Sequence, residues 1–129
     1  MNIADLTGIE DFTALTYLNC INNLLTSLDV SQNMALTTLL CNDNQLTSLD
    51  LSQNTALTSL NCYENYLTTL DVSNNTALTF LGCGSQYQNQ LTSLDLSNNS
   101  ALTFLSCNYH NLTSLDVSVI RQTKVDSLV

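Results

Sequence analysis

The chain has 129 residues, 44% of them hydrophobic and 10% charged, a balance that fits one folded domain and excludes a disordered one. Eleven acidic residues face two basic ones, Arg121 and Lys124, so no Lys or Arg occurs from Met1 to Ile120. Nucleic acid and anionic membrane surfaces both require cationic side chains to displace counterions, and both are excluded as partners of that stretch.

In chain order, Met1 to Ala14 places Ile3, Leu6, Ile9 and Phe12 in a pattern that reads as a degenerate turn covering the N-terminal end. No charged segment followed by an apolar one precedes it, and no apolar run reaches the 18 or more residues of a membrane span. Neither a signal peptide nor membrane insertion is therefore expected in this chain.

From Leu15 to Ser118 the sequence writes one unit five times, starting at Leu15, Leu36, Leu57, Leu78 and Leu102. Leu36 to Ala56 reads LTTLLCNDNQLTSLDLSQNTA, and Leu57 to Ala77 reads LTSLNCYENYLTTLDVSNNTA. A unit of 21 residues cannot bury its own leucines, so successive copies must share a continuous core. Each copy divides into a ten-residue half around Cys and an eleven-residue half around Leu-Asp-Leu/Val-Ser. Alternation places Leu60 and Cys62 on one face with Asn61 on the other, and Leu49 and Leu51 inward with Asp50 outward. Five rungs at strand spacing make a stack of roughly 24 Å. The expected fold is mainly β: a solenoid of about five turns, the Cys halves forming a parallel sheet, the Asp halves extended or paired in a second sheet, with little helix. The Asn closing each half should bond backbone groups where the chain bends.

The fourth copy breaks the rhythm. Ser85 to Gln90 carries three extra residues, and Gly82 and Gly84 flank Cys83, which predicts a surface loop. In the fifth copy His110 replaces the Asn found at Asn23, Asn44, Asn65 and Asn89. Past Ser118, residues 119–129 leave the pattern. There Val117, Val119 and Ile120 could continue a strand, while Arg121 and Lys124 would oppose edge pairing. One domain is expected throughout: a cap-like segment at 1–14, repeats over 15–118 and a tail at 119–129. An open stack with a thin tail leaves end-to-end or edge-to-edge homodimers open.

Two ladders carry chemistry. Cys20, Cys41, Cys62, Cys83 and Cys107 are expected to be buried free thiols. In-register strands hold Cβ atoms near 4.8 Å apart, wider than the roughly 3.8 Å a disulfide needs, and a line of sulfurs does not converge on a metal. Asp29, Asp50, Asp71, Asp95 and Asp116 form an outward row between Ser or Thr residues. Solvation is the default for these carboxylates, and calcium bound along the row is the sharper alternative. No resident cofactor or metal is expected. Nor is catalysis: the single His110 sits at a bend, its nearest nucleophile Cys107 points inward, and regular repeats supply no cleft.

The outward residues of the Asp half keep one pattern, Ser or Thr, then Asp, then Ser, in every copy, whereas those of the Cys half differ from copy to copy. A specific partner requires such individuality. Tyr17, Leu40, Tyr63, Phe80 and Phe104 put apolar groups on this face and are the expected partner-binding residues, with Tyr66, Tyr87 and Tyr109 beside them. The sequons Asn74-Asn75-Thr76, Asn98-Asn99-Ser100 and Asn111-Leu112-Thr113 and the terminal Asp-Ser-Leu-Val are set aside as chance matches.

The run from Leu57 to Leu67, LTSLNCYENYL, follows L-x-x-L-x-C-x-x-N-x-L, the leucine-rich-repeat signature with Cys in a Leu position. Over residues 3–118 the chain resembles bacterial leucine-rich repeats with nested 21-residue units, the IRREKO-type class, and more loosely the internalin-like repeats. The resemblance implies a non-enzymatic module that binds a protein ligand, in a surface or secreted bacterial protein with an adhesive or host-directed role. A calcium- or lattice-binding solenoid, or a spacer within a longer array, is the alternative.

Overall fold

The structure, a computed structural model, describes residues 2–86, 88–108 and 111–120. Each repeat contributes one three-residue strand: β1 (Tyr17–Asn19), β2 (Thr38–Leu40), β3 (Ser59–Asn61), β4 (Phe80–Gly82) and β5 (Phe104–Ser106). They form a single parallel sheet in sequence order, with each strand in register with the equivalent residues of the next. The only helical piece among the described residues is a 3-10 turn, Ile9–Asp11.

Register follows from the core. The central leucines Leu39, Leu60 and Leu81 are fully buried beneath the sheet, and Leu46, Leu67 and Leu91 close the far side of each turn. Each buried leucine contributes about 1.5–3 kcal/mol by leaving water, and a slip of one residue would move a whole strand's set to the solvent face. The five cysteines fill the same core as unbridged thiols.

Two rows of asparagine close the corners. Asn65 donates to the carbonyls of Cys41 and Cys62 at 3.0 and 3.1 Å, while its Oδ1 accepts the Leu46 N–H at 3.0 Å. Asn44 and Asn89 repeat this arrangement in neighbouring turns. On the other half, Asn54 donates to the carbonyls of Val30 and Asn33, and Asn75 to those of Leu51 and Asn54. Just before the first row the chain turns through left-handed backbone at Asn22, Asp43 and Glu64, with φ of 55°, 58° and 49°. Asn and Asp tolerate that region well and Glu less so.

The second sheet left open by the sequence does not form among the described residues. Its strands would need the Ser N–H groups of the Asp halves, and those are taken locally. Ser31, Ser52, Ser73 and Ser97 each donate a backbone N–H to the Oδ1 of the Asp two residues earlier, at 2.9 Å, and Ser118 does so at 2.8 Å. A donor bound to the side chain of a near neighbour in the chain is lost to a strand ladder.

The ends also depart from expectation. In the first segment Leu6 and Ile9 are half-buried, but Ile3 and Phe12 are 38% and 62% exposed. Ile3 instead joins through its backbone, taking the Leu24 N–H at 2.8 Å. Val117 to Ile120 forms a turn rather than a strand, closed by the Ile120 N–H on the Val117 carbonyl. Tyr87, Tyr109, His110, Arg121 and Lys124 lie outside the described residues.

Candidate protein-interaction face

Strand register turns the outward residues of the Cys halves into rows. The first runs Tyr17, Thr38, Ser59, Phe80, Phe104, and the second Asn19, Leu40, Asn61, Gly82, Ser106. A third, Ile21, Asn42, Tyr63, Gly84, Asn108, is aligned by backbone bonds just past the strands, such as Asn22 N–H to Asn42 O and Glu64 N–H to Gly84 O. The five expected contact residues therefore share one face without forming one cluster. Phe80 and Phe104 stack, with centroids 4.5 Å apart and planes 2° from parallel. Tyr17, 53% exposed, stands at the other end of the same row beyond Thr38 and Ser59. Leu40 and Tyr63 lie one and two rows over.

The glycines have a packing role that differs from the loop signal read in the sequence. Gly82 lies in β4, and a Cβ there would come within 2.9 Å of Asn61 Oδ1 and 3.5 Å of Phe80 Cε1. Its missing side chain lets the Asn61 amide lie across the sheet, where Oδ1 accepts the Tyr63 N–H at 3.2 Å. Asn108 occupies the corresponding space over Gly84.

Ser85, expected in an exposed loop, is fully buried. Its hydroxyl donates to Glu64 Oε2 at 2.8 Å and accepts the Gln88 N–H at 2.7 Å, while the Gln86 N–H reaches Glu64 Oε1 at 2.7 Å. Glu64 thus binds the inserted segment to the preceding turn. Asn89 still takes its ladder position, so the three extra residues are absorbed between two anchored points. Sequence reading missed Glu64, whose only signal is a carboxylate one turn before an insertion that begins with Ser.

Elsewhere the chemistry is spent on structure. Burial pushes the Cys20 thiol up to about 11 and drives Cys41, Cys62 and Cys83 higher still, with neighbouring sulfurs adding to the effect, so the ladder holds poor nucleophiles. In the carboxylate row, Ser backbone and side-chain hydrogen bonds hold Asp29, Asp50 and Asp95 below the usual range, while neighbouring Asp charges oppose this at Asp50 and Asp95. A groove of about 340 Å³ borders Asp29 and Asp50, yet among the described residues no three His, Cys, Asp or Glu side chains are grouped to hold a metal ion. No helix among the described residues is long and apolar enough to cross a membrane. Asn99, the middle residue of the Asn98-Asn99-Ser100 sequon, is fully buried with its amide donating to the Val72 and Asn75 carbonyls.

A parallel sheet built from nested 21-residue units, one strand per unit, defines the class: a leucine-rich-repeat solenoid of internalin-like type. Within it, the chain is similar to the functional domain of InlJ from Listeria monocytogenes, a structure that includes a cysteine ladder. The two share 50% identity and superpose with a TM-score of 0.86, over 92% of this chain and 26% of that one. An internalin from the same species, InlF, is 29% identical over 86% of this chain and 33% of its own, with a TM-score of 0.81. A leucine-rich-repeat protein of Leptospira interrogans shares the fold at 24% identity and a TM-score of 0.76, over 88% of this chain and 30% of that one. The chain thus spans between a quarter and a third of the length of these proteins. Among sequence families, the LVIVD repeat matches residues 62–83, and no curated protein matches.

Proposed function

We infer that this chain is a non-enzymatic protein-interaction module of a bacterial surface or secreted protein, and that it contacts a host or extracellular protein through the outward face of its sheet. The observation that carries this reading is the contrast between two faces of one scaffold. The Asp halves repeat Asp and Ser unchanged in every turn, whereas in the sheet each rung differs from its in-register neighbours. A scaffold needs only the monotonous kind, and individual side chains at fixed spacing are what discriminates one protein surface from another. Tyr17, Leu40, Tyr63, Phe80 and Phe104 supply the apolar and aromatic groups that dominate binding energy at such surfaces. Similarity to the functional domain of an internalin supports the same reading. The calcium alternative has no comparable support, because one oxygen of each Asp in the row already accepts a Ser N–H.

The test is a capture comparison from an extracellular-matrix extract, using wild-type protein and a Phe80→Ser/Phe104→Ser double variant, each with and without calcium. A partner held by the wild type and lost by the folded variant, independently of calcium, is the expected result. Identical capture by both proteins would remove the sheet face from consideration.

A further inference from the structure

We propose that the segment inserted in the fourth turn is a second contact element of the partner-binding face, and that Glu64 is the positioning residue that presents it. The proposal rests on the sheet-face reading above and adds what sets its specificity. The three extra residues occur in one turn of the five, between Ser85 and Gln90. Both anchors of the segment adjoin the face. Ser85 follows Gly84 and Glu64 follows Tyr63, and the third outward row sets Tyr63 beside Gly84, where the Glu64 N–H meets the Gly84 carbonyl at 3.2 Å. On its own rung the segment comes after Phe80, Gly82 and Gly84. It therefore borders the face at the end away from the stacked rings, with about 13 Å from Phe80 to Gly84 at strand rise.

The segment is held more firmly than an idle loop requires. Asn44 and Asn65 close their corners by donating to the Cys41 and Cys62 carbonyls, each three residues back, and Asn89 makes the same bond to Cys83 from six residues away. The ladder is thus complete whatever lies between Ser85 and Asn89, and a surface insertion there is free to hang loose. Glu64 nevertheless places both carboxylate oxygens on it, Oε2 accepting the Ser85 hydroxyl at 2.8 Å and Oε1 the Gln86 N–H at 2.7 Å. Ser85 Oγ then takes the Gln88 N–H at 2.7 Å, so the backbone is fixed on both sides while Gln86 is exposed and Gln88 half-buried. The identity of residue 64 points the same way. Its φ of 49° is left-handed, as at Asn22 and Asp43 in the same column, and Asn and Asp suit that backbone better than Glu. Glu has one methylene more than Asp, and here its carboxylate reaches the next turn. Backbone strain accepted at one residue for such an anchor marks a functional position, and a loop ordered beforehand loses less freedom when a partner covers it.

The experiment adds three proteins to the capture comparison from the extracellular-matrix extract: Glu64→Ala, an excision of residues 86–88, and the two combined, each read across a dilution series of the bait. Excision leaves Cys83-Gly84-Ser85-Asn89, the spacing of Cys62-Tyr63-Glu64-Asn65, which restores the regular turn, and urea melts verify the fold of each variant. For a partner held through Phe80 and Phe104, excision should weaken capture at least about tenfold. Glu64→Ala should weaken it about threefold to tenfold, the effect of freeing residues that must be ordered again on binding. In the excised background Glu64→Ala should change nothing further, because a positioning residue acts only through the segment it holds. Full capture by the folded excised protein overturns the proposal and leaves the sheet face standing. Should the excised chain melt early, Glu64→Ala decides alone, and unchanged capture overturns the proposal. An equal loss from Glu64→Ala with and without the segment overturns the positioning role. Capture that the Phe80→Ser/Phe104→Ser variant retains in full, or the absence of any captured protein, removes the sheet-face reading and this proposal with it.

Discussion

Replacing Asn65 with Ala tests whether the corner asparagines hold the turns together. In the folded protein its amide donates to the Cys41 and Cys62 carbonyls, and its Oδ1 accepts the Leu46 N–H. Each carbonyl has a second amide partner, Asn44 for Cys41 and Asn89 for Cys62, so both remain singly bonded in the variant. Leu46 N–H loses its side-chain partner at a buried position. Two lost bonds at about 0.5–1.5 kcal/mol each, with a stranded donor at about 1–3, sum to about 2–6 kcal/mol. For a protein whose total stability is of the order of 5–15 kcal/mol, with a urea slope near 2 kcal/mol/M, the unfolding midpoint should fall by about 1–3 M. Asn23 makes the same type of contacts at the half-exposed first turn, to the Cys20 and Ile21 carbonyls and from the Ile3 N–H. Water can replace it there, so Asn23→Ala should move the midpoint by under about 0.5 M. Urea melts followed by circular dichroism give both numbers, and hydrogen exchange should show the Leu46 amide losing protection in Asn65→Ala alone. Equal midpoint shifts in the two variants would refute the reasoning.

Two further outcomes follow from the ladders. Buried thiols with raised pKa values should resist iodoacetamide at pH 8 in the folded state; Cys20 and Cys107, each 5% exposed at the ends of the ladder, should react before Cys41, Cys62 and Cys83, which are fully covered. Mass spectrometry showing Cys62 modified as fast as Cys20 in native protein would contradict this order. Asp29, Asp50, Asp71, Asp95 and Asp116 have folded pKa values below their ordinary ones, so the stability they contribute is complete above the ordinary carboxylate value and is lost as pH falls through the folded values. The melting temperature should therefore drop below about pH 4, and less steeply in Asp50→Asn, whose side chain keeps an acceptor for the Ser52 N–H but no longer titrates. A melting temperature that rises on acidification would mean that repulsion along the row outweighs those bonds.

Much of this architecture could be read from one chain because the repeat supplies its own internal comparison. Leu60 and Cys62 alternate with Asn61, and that period of two assigned inside and outside before any contact was known. The same comparison separated the variable sheet face from the constant Asp face. Backbone competition was harder to read: Leu-Asp-Leu-Ser alternates as well as Leu-Asn-Cys does, and hydrophobic pattern alone allowed a second sheet. What removed it was the Asp carboxylate capturing the Ser N–H two residues on, a contact between polar groups that leaves no trace in the apolar period.

The sequence by itself therefore determined the stack, the inward residues, the five buried thiols and the face that varies, since these depend on periodicity and volume, which are written along the chain. Only the tertiary structure decided which side chains meet. Phe80 and Phe104 are 24 positions apart and touch because parallel register sets them side by side, and Glu64 finds Ser85 across 21 positions. Register is a property of neighbouring turns packed together, and it turns rows of unrelated residues into a surface.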